Sequence, residues 1–237
     1  MKYLLYLLLP FATLCSAQTD TVIFETAEDA ITHYFEGLTE NKFSKVLEAC
    51  AVNEIAENFD FAFNVQTMGN MMMLEPSPAP SNYPFYAELN KVQIASAIAR
   101  QVKFFSLALL SATELNSLPI MNVNEASTAA FIEQVNPESL AGIELKSIAI
   151  PNQEATEKDF YLQISSRVAQ TYGADEASER VALFSFENDL YFIGFRLLRY
   201  GNSWKILSQD SPLAASEPTG TPKKITPEEF DALISGN

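Results

Sequence analysis

The sequence predicts an α+β protein in which several helices precede a strongly curved antiparallel sheet. Through the first 135 residues, apolar residues recur at three- and four-residue spacing, as on one face of a helix. From residue 141 onward they occur in short, aromatic-rich runs separated by turn signals, as in antiparallel strands. The change of period marks the border between the two parts.

The first two helices are predicted from a cap and from apolar spacing. Thr26 and Asp29 form a start that resembles a capping box, with Asp where Glu or Gln is usual. Apolar residues follow at helical spacing as far as Leu38. The run from Phe43 to Cys50 repeats this spacing, so we expect a second, shorter helix there.

The middle of the sequence combines helical patterns with one clear loop. Residues 64–74 contain four methionines and are predicted to be helical, whereas the three prolines in residues 75–81 predict a loop. The longest helical pattern covers residues 86–112, and a shorter one covers 125–135. Charged residues interrupt the long pattern, so we interpret it as a core helix and not as a membrane span.

The last third of the sequence predicts the sheet. Strand patterns cover residues 142–150, 180–186, 190–200 and 204–208, with a helical pattern at 157–171. On the 190–200 strand, alternation places Phe195 and Arg196 on opposite faces. Gly194 interrupts this apolar strand and predicts a bulge or a strong bend.

These patterns predict one domain between two terminal segments. We expect a signal peptide over residues 1–17 and a single α+β domain over 18–212, with its helical part at 26–135 and its sheet-rich part at 141–209. Residues 213–237 are predicted to be a linker followed by a short C-terminal helix.

The N-terminus predicts export. A positive residue, a short apolar run and a small-residue site form a signal peptide, with cleavage expected after Ala17 and a mature chain beginning at Gln18. Lipid attachment at Cys15 is the alternative, and the bulky Leu14 before it argues against this. We therefore expect a periplasmic or extracellular protein with no transmembrane segment in its mature chain.

Charge and cysteine content exclude some functions. The net charge is −15, and removal of Lys2 with the signal peptide makes it −16, which disfavours binding to nucleic acid. Cleavage leaves Cys50 as the one cysteine, so no internal disulfide is expected. Its apolar helical context predicts a buried, inert thiol.

Three segments carry a family resemblance: the opening helix with Tyr34 and Phe35, residues 42–49, and the closing hairpin GFRLLRYGNSWKIL with Trp204 and Ile206. Together with the order of the elements, they resemble the nuclear transport factor 2-like superfamily, a group of cystatin-like α+β cones. It covers residues 26–207, with an extra helical stretch at 54–135. It implies a curved sheet around a long N-terminal helix, with a pocket at the mouth of the cone.

The superfamily contains enzymes, such as polyketide cyclases and ketosteroid isomerases, and also binding domains without activity, so the resemblance leaves the reaction open. Two residues are candidate general bases. His33 is the single histidine of the sequence and is expected at the solvent or the pocket rim. Asp60 has apolar neighbours, so burial would make it basic, whereas an N-cap role would explain it equally well.

Two further clusters contain side chains that can bind metal ions. Met68, Met71 and Met72 would share one helical face and resemble thioether sites for copper, although methionine more often fills apolar surfaces. Asp175, Glu176 and Glu179 do not have the spacing of a calcium loop, and we interpret them as a solvated loop.

The sequence favours an exported, non-enzymatic domain that binds a small apolar ligand or a partner protein, and no cofactor is expected. A small hydrolase, lyase or isomerase that uses Asp60 or His33 is the first alternative, and methionine-dependent copper binding is the second. We expect an apolar core, with a ligand cavity at one end, to be formed by aromatic residues from the opening helix, the long helix and the closing strands: Tyr34, Phe105, Tyr191, Phe195 and Trp204.

Overall fold

The structure, a computed structural model, describes residues 22–71, 77–111, 125–216 and 218–236, with residues 125–127 described by their backbone alone. In chain order these ranges contain α1 (Ala27–Thr39), α2 (Phe43–Glu48), α3 (Val52–Asn58), α4 (Phe61–Thr67), α5 (Pro84–Leu110), α6 (Glu125–Gln134), a 3-10 turn (Pro137–Gly142), β1 (Glu144–Ala149), α7 (Gln153–Thr156), α8 (Asp159–Thr171), β2 (Glu176–Phe186), β3 (Asp189–Tyr200), β4 (Ser203–Ser208), β5 (Lys223–Lys224) and α9 (Pro227–Ser235). The predicted α+β class is confirmed. The predicted signal peptide and the lipidation candidate Cys15 lie outside the described residues.

The sheet is antiparallel, with the strand order β1-β2-β3-β4, and β5 pairs with β3. β2 and β3 pair along their whole length, from Glu176 opposite Arg199 to Phe186 opposite Asp189. β1 reaches only the second half of β2, where Ala149 lies opposite Val181. The first half of β2 therefore has a strand neighbour on one side, and α8 packs against it.

The inner face of the sheet is the face that carries Ile193, Phe195 and Leu197 of β3, and it packs against α1. The predicted capping box of α1 is confirmed, because Thr26 and Asp29 exchange two hydrogen bonds of 3.0 Å. The predicted register of β3 is also confirmed. Phe195 is fully buried among the core residues, whereas Arg196 lies on the other face and forms an ion pair with Asp210.

The outer face of the sheet is also covered. Val181 and Phe192 form a second apolar cluster with Ala214 and with Phe230 of α9. The chain after residue 212, which composition predicted to be a linker before a short helix, thus packs on the sheet, and α9 is that helix.

Gly194 does not form the predicted bulge. It pairs with Val181 in regular register, and the shift in register on β3 falls between Arg196 and Leu197. A Cβ atom at Gly194 would lie 2.5 Å from the Cβ of Ser211. Glycine is needed because the segment after β4 crosses directly over the strand here.

Candidate functional site

The residues predicted to form a ligand pocket lie together in the inner core. Tyr34, Phe105 and Phe195 have no exposed surface, Tyr191 is 9% exposed, and Trp204 is partly buried against the same cluster. The rings of Tyr34 and Phe195 meet edge to face at a centroid distance of 5.4 Å, a favourable aromatic geometry. These side chains act as packing residues, and a ligand cavity at the end of this core stays a prediction.

One polar pair lies inside this core. The side-chain amide of Gln209 donates a hydrogen bond to the Tyr34 hydroxyl, and burial raises the pKa of Tyr34 well above its usual value. The side-chain oxygen of Gln209 is buried without a hydrogen-bond partner among the described atoms. The Tyr34 hydroxyl therefore stays neutral and binds a structural partner.

The two candidate bases lie in separate surroundings. His33 is on α1, where its Nε2 lies 2.9 Å from a carboxylate oxygen of Glu48 and its Nδ1 lies 3.8 Å from Glu36. Asp60 is exposed and is the N-cap of α4, since its carboxylate accepts a 2.9 Å hydrogen bond from the backbone N–H of Phe63. Asp60 is therefore not buried, as a general base at this position would have to be.

The prediction that the methionines share one helical face is wrong for Met68 and Met71, the two that the structure describes. α4 ends at Thr67, and the next turn is left-handed, with φ of 66° at Gly69 and 62° at Asn70. This turn breaks the helical spacing between Met68 and Met71, which are 38% and 73% exposed. Met72 lies outside the described residues, and so does the rest of the predicted helix beyond Met71.

The described surface that best fits a ligand is a groove between α8 and the outer face of the sheet. We call it the α8 groove. It encloses about 310 Å³ and is lined almost entirely by apolar groups from α7, α8, the start of β2 and the turn after β4: Ala155, Lys158, Phe160, Tyr161, Ile164, Ser165, Val168, Ala177, Ser178, Glu179, Arg196, Pro212 and Leu213.

The groove exists because α8 packs tightly at its C-terminal end only. Ala169 is the buried residue of this 13-residue helix, and Val168 packs with a small apolar cluster around Leu198. Toward its N-terminus the helix has no fully buried side chain, and Phe160 is 75% exposed and Ile164 is 41% exposed. One wall of the groove thus consists of apolar side chains that the fold leaves uncovered.

The opposite wall is held by Glu179, which is 8% exposed. Its Oε2 accepts a 2.5 Å hydrogen bond from the Ser211 hydroxyl and a 3.1 Å bond from the backbone N–H of Leu213. These bonds stabilise the turn that carries Pro212 and Leu213 into the groove. A buried carboxylate is satisfied by such donors, so Glu179 has a structural role here.

Two cations, Lys158 and Arg196, line the groove, and Arg196 already has a partner. Its Nη2 lies 2.9 Å from the Asp210 carboxylate, and its Nε also faces that group. Asp210 is 7% exposed, so a guanidinium next to it offsets the cost of its burial. The charge of Arg196 is therefore compensated, and most of the groove surface is apolar.

A second groove lies on the neighbouring side of α8, and we call it the polar groove. It encloses about 710 Å³ and is more open than the α8 groove. Hydroxyl, amide and carboxylate groups contribute much of its lining: Thr156, Tyr161, Leu162, Ser165, Ser166, Ala169, Gln170, Gly173, Ala174, Asp175, Glu176, Ala177 and Ser178.

Sequence reasoning missed both grooves. It placed Glu176 and Glu179 in a solvated loop, whereas both lie in β2, and Glu179 is buried. The helical pattern of α8 carried one usable signal, because Phe160 and Ile164 are four residues apart and form an apolar pair on one face. The exposure of this pair in the described part of the fold could not be seen from the sequence.

The comparisons with known proteins identify the fold. No protein-family model matches the chain, and no curated protein matches it in sequence. A solved structure, a cystatin-like protein from Ruminococcus gnavus, matches with a TM-score of 0.58 and 20% identity over 84% of this chain and 44% of that protein. The chain has a cystatin-like α+β fold. It spans less than half of the length of that protein, and a likeness at this identity shows the fold alone.

Two further observations concern metal ligands and membrane-spanning helices. Within the described ranges, no group of three or more His, Cys, Asp and Glu side chains is arranged to hold a metal ion. Among the helices of the described segments, none is long and apolar enough to cross a membrane.

Proposed function

We propose that this protein is an exported, non-enzymatic binding domain that takes a small apolar ligand in the α8 groove. The observation that carries the proposal is the apolar groove itself, which lies within the described fold and has a fixed wall and an uncovered wall. Small-molecule sites are typically concave, mostly apolar and about 300–1,000 Å³ in volume, so a groove of about 310 Å³ suits a small ligand.

The uncovered wall supplies the driving force for binding. Phe160 and Ile164 expose apolar surface to water in the free protein, and a ligand in the groove would cover part of it. Full burial of one such side chain contributes about 1.5–3 kcal/mol. Cover of both side chains therefore contributes up to about 3–6 kcal/mol, and the apolar surface of the ligand itself has to supply the rest of the binding free energy.

The fixed wall supplies preorganisation. The hydrogen bonds between Glu179 and the turn of residues 211–214 hold Leu213 in place before a ligand arrives. A wall that is already ordered lowers the entropy cost of binding. We also infer that the protein is an exported member of the nuclear transport factor 2-like superfamily, with export supported by the signal-peptide pattern of residues 1–17.

The test is binding of N-phenylnaphthylamine, an uncharged apolar dye whose fluorescence rises when it leaves water. We expect saturable binding to the wild-type protein and an affinity about tenfold lower in Phe160→Ser, because the groove loses much of one wall. Phe85→Ser is the matched control, since Phe85 is 70% exposed, is also near the start of its helix and lies outside the groove. Absence of saturable binding, or an equal effect of both variants, would contradict the proposal.

The alternatives stay predictions. Neither His33 nor Asp60 lines the α8 groove, and a turnover screen that compares the wild type with His33→Ala and Asp60→Ala would test the enzyme hypothesis. Copper binding would be tested by metal analysis of variants at Met68, Met71 and Met72. A partner protein as occupant would be tested by native mass spectrometry of material purified from its own organism, where a retained small organic ligand supports the present proposal.

A further inference from the structure

The α8 groove and the polar groove lie side by side along one helix. They share four lining residues, Tyr161, Ser165, Ala177 and Ser178. On a helix, Tyr161 and Ser165 are one turn apart and form a single ridge, so this ridge is the border between the two grooves. Tyr161 and Ser165 are both half-buried, and the Tyr161 hydroxyl lies near Ser165 and near the backbone of Glu179.

The two grooves differ in chemistry across this border. The α8 groove is apolar, and the lining residues of the polar groove include hydroxyl and amide side chains, such as Thr156, Ser166 and Gln170. These groups can both donate and accept hydrogen bonds. A tyrosine with an apolar ring and a polar tip is well suited to the boundary between the two environments.

We propose that the two grooves bind the two ends of one amphiphile, with its apolar chain in the α8 groove and an uncharged, hydroxyl-rich head group, such as a sugar, in the polar groove. This inference rests on the function proposed above and specifies the class of ligand. It follows from the placement of two chemically different grooves on either side of one ridge. A purely apolar ligand would fill only one of these two grooves.

The charges of the polar groove disfavour an anionic head group. Its charged lining residues are Asp175 and Glu176, of which Glu176 is paired with Arg199, and the chain as a whole has a net charge of −15. A carboxylate, sulfate or phosphate would be repelled by Asp175 and by the net negative charge of the chain.

The same carboxylates suit hydroxyl groups. Asp175 Oδ2 accepts a 2.7 Å bond from the backbone N–H of Gly201, and Glu176 Oε2 accepts a 3.1 Å bond from Arg199. The second oxygen of each carboxylate makes no hydrogen bond to a residue in the described part of the chain. A sugar hydroxyl can donate to such an oxygen, and the bond to an ionised acceptor is stronger than a neutral one.

The experiment compares ligands that share an octyl chain and differ in the head group. Octyl glucoside, octanol, octyltrimethylammonium and octyl sulfate are each titrated, below their micelle-forming concentrations, against the dye bound to the protein. We expect octyl glucoside to displace the dye with an affinity about tenfold higher than octanol, since two additional hydrogen bonds supply about that factor. Octyl sulfate should bind more weakly than octyl glucoside because the negative field repels it. Octyltrimethylammonium should also bind more weakly, because Glu176 is already paired with Arg199 and the trimethylammonium group donates no hydrogen bond.

Two variants of exposed α8 residues locate the head group. Ser166→Trp fills part of the polar groove and should remove the advantage of octyl glucoside while leaving the affinity for octanol unchanged. Gln163→Trp places the same side chain on α8 outside both grooves and should behave as the wild type. Circular dichroism checks that both variants are folded.

The failure of this inference is distinguishable from the failure of the proposed function. If the dye and octanol bind but octyl glucoside binds no better, the apolar site stands and the head-group site is wrong. Preference for octyltrimethylammonium or octyl sulfate would overturn the uncharged head group, and a retained glucoside advantage in Ser166→Trp would overturn its place in the polar groove. If neither the dye nor octanol binds, both proposals fail.

Discussion

Replacement of Gly194 by alanine tests how the outer face of the sheet is built. Gly194 has a φ outside the left-handed region, so alanine meets no backbone strain there. The added methyl group would instead lie 2.5 Å from Ser211 Cβ and from Ser216 Oγ, and 2.7 Å from the backbone nitrogen of Ser211. Because carbon atoms pack at about 3.5–4.0 Å, the segment crossing the strand would have to move by about 1 Å or more.

The cost of this movement can be estimated from the contacts of Ser211. Its backbone N–H donates a 2.6 Å bond to Ser216, and its hydroxyl bonds with Glu179 and accepts from the backbone N–H of Ala214. Overpacking in a core costs about 1–3 kcal/mol, and each of these hydrogen bonds lost adds about 1 kcal/mol. We therefore expect Gly194→Ala to lower the free energy of unfolding by about 2–4 kcal/mol.

The measurement is urea unfolding followed by circular dichroism, with Gly142→Ala as the matched control. Gly142 also lacks a left-handed φ, and its added Cβ would lie 3.9 Å from the Phe186 ring, an ordinary contact. Alanine there should be neutral or should stabilise by up to about 1 kcal/mol. Because Pro212 and Leu213 belong to the displaced segment, Gly194→Ala should also weaken dye binding in the α8 groove.

The opposite result would refute this reasoning. If Gly194→Ala unfolds at the same urea concentration as the wild type, the segment of residues 211–216 does not press on β3 in solution. The explanation of the glycine by close approach would then be wrong, and the fixed wall of the groove would lose its support.

Three further predictions follow from the core and the caps. Phe195→Ala should lower the free energy of unfolding by about 3–5 kcal/mol, because the ring is fully buried between α1 and the sheet, and a loss below about 1 kcal/mol in urea unfolding would contradict that placement. Burial raises the pKa of the Cys50 thiol to about 12, so the native protein at neutral pH should react with iodoacetamide only after unfolding, and Cys50→Ala should cost roughly 1 kcal/mol or less. Fast labelling of the folded protein would disprove the buried thiol. Asp60→Ala should cost about 1 kcal/mol in the same unfolding measurement, since an N-cap bond is lost, and no loss would contradict the cap.

Most of the long elements of the fold could be predicted from the sequence to within a few residues, whereas the helix predicted over residues 64–74 and the short strand β5 could not. The 86–112 pattern corresponds to α5 (Pro84–Leu110), and the 190–200 pattern corresponds to β3 (Asp189–Tyr200). Alternation along β3 also predicted which residues face the core, because side chains in a strand point to opposite faces in turn. Local periodicity and capping are properties of neighbouring residues, and a sequence displays them directly.

The predictions failed where the deciding contacts join distant parts of the chain. Asp60 has the same apolar neighbours whether it is buried or caps a helix, and only the folded structure shows that it is exposed at the start of α4. The methionine pattern is the exception, because a local left-handed turn at Gly69 and Asn70 follows the end of α4 at Thr67.

The sequence by itself determined the α+β class, the strand faces and the identity of the core residues, because burial follows from apolar periodicity. The tertiary structure alone decided where a ligand could bind. The α8 groove depends on how far α8 stands from the sheet and on the bond between Glu179 and Ser211, residues 32 positions apart. Such distances are set by the packing of whole elements, and no local pattern in the sequence encodes them.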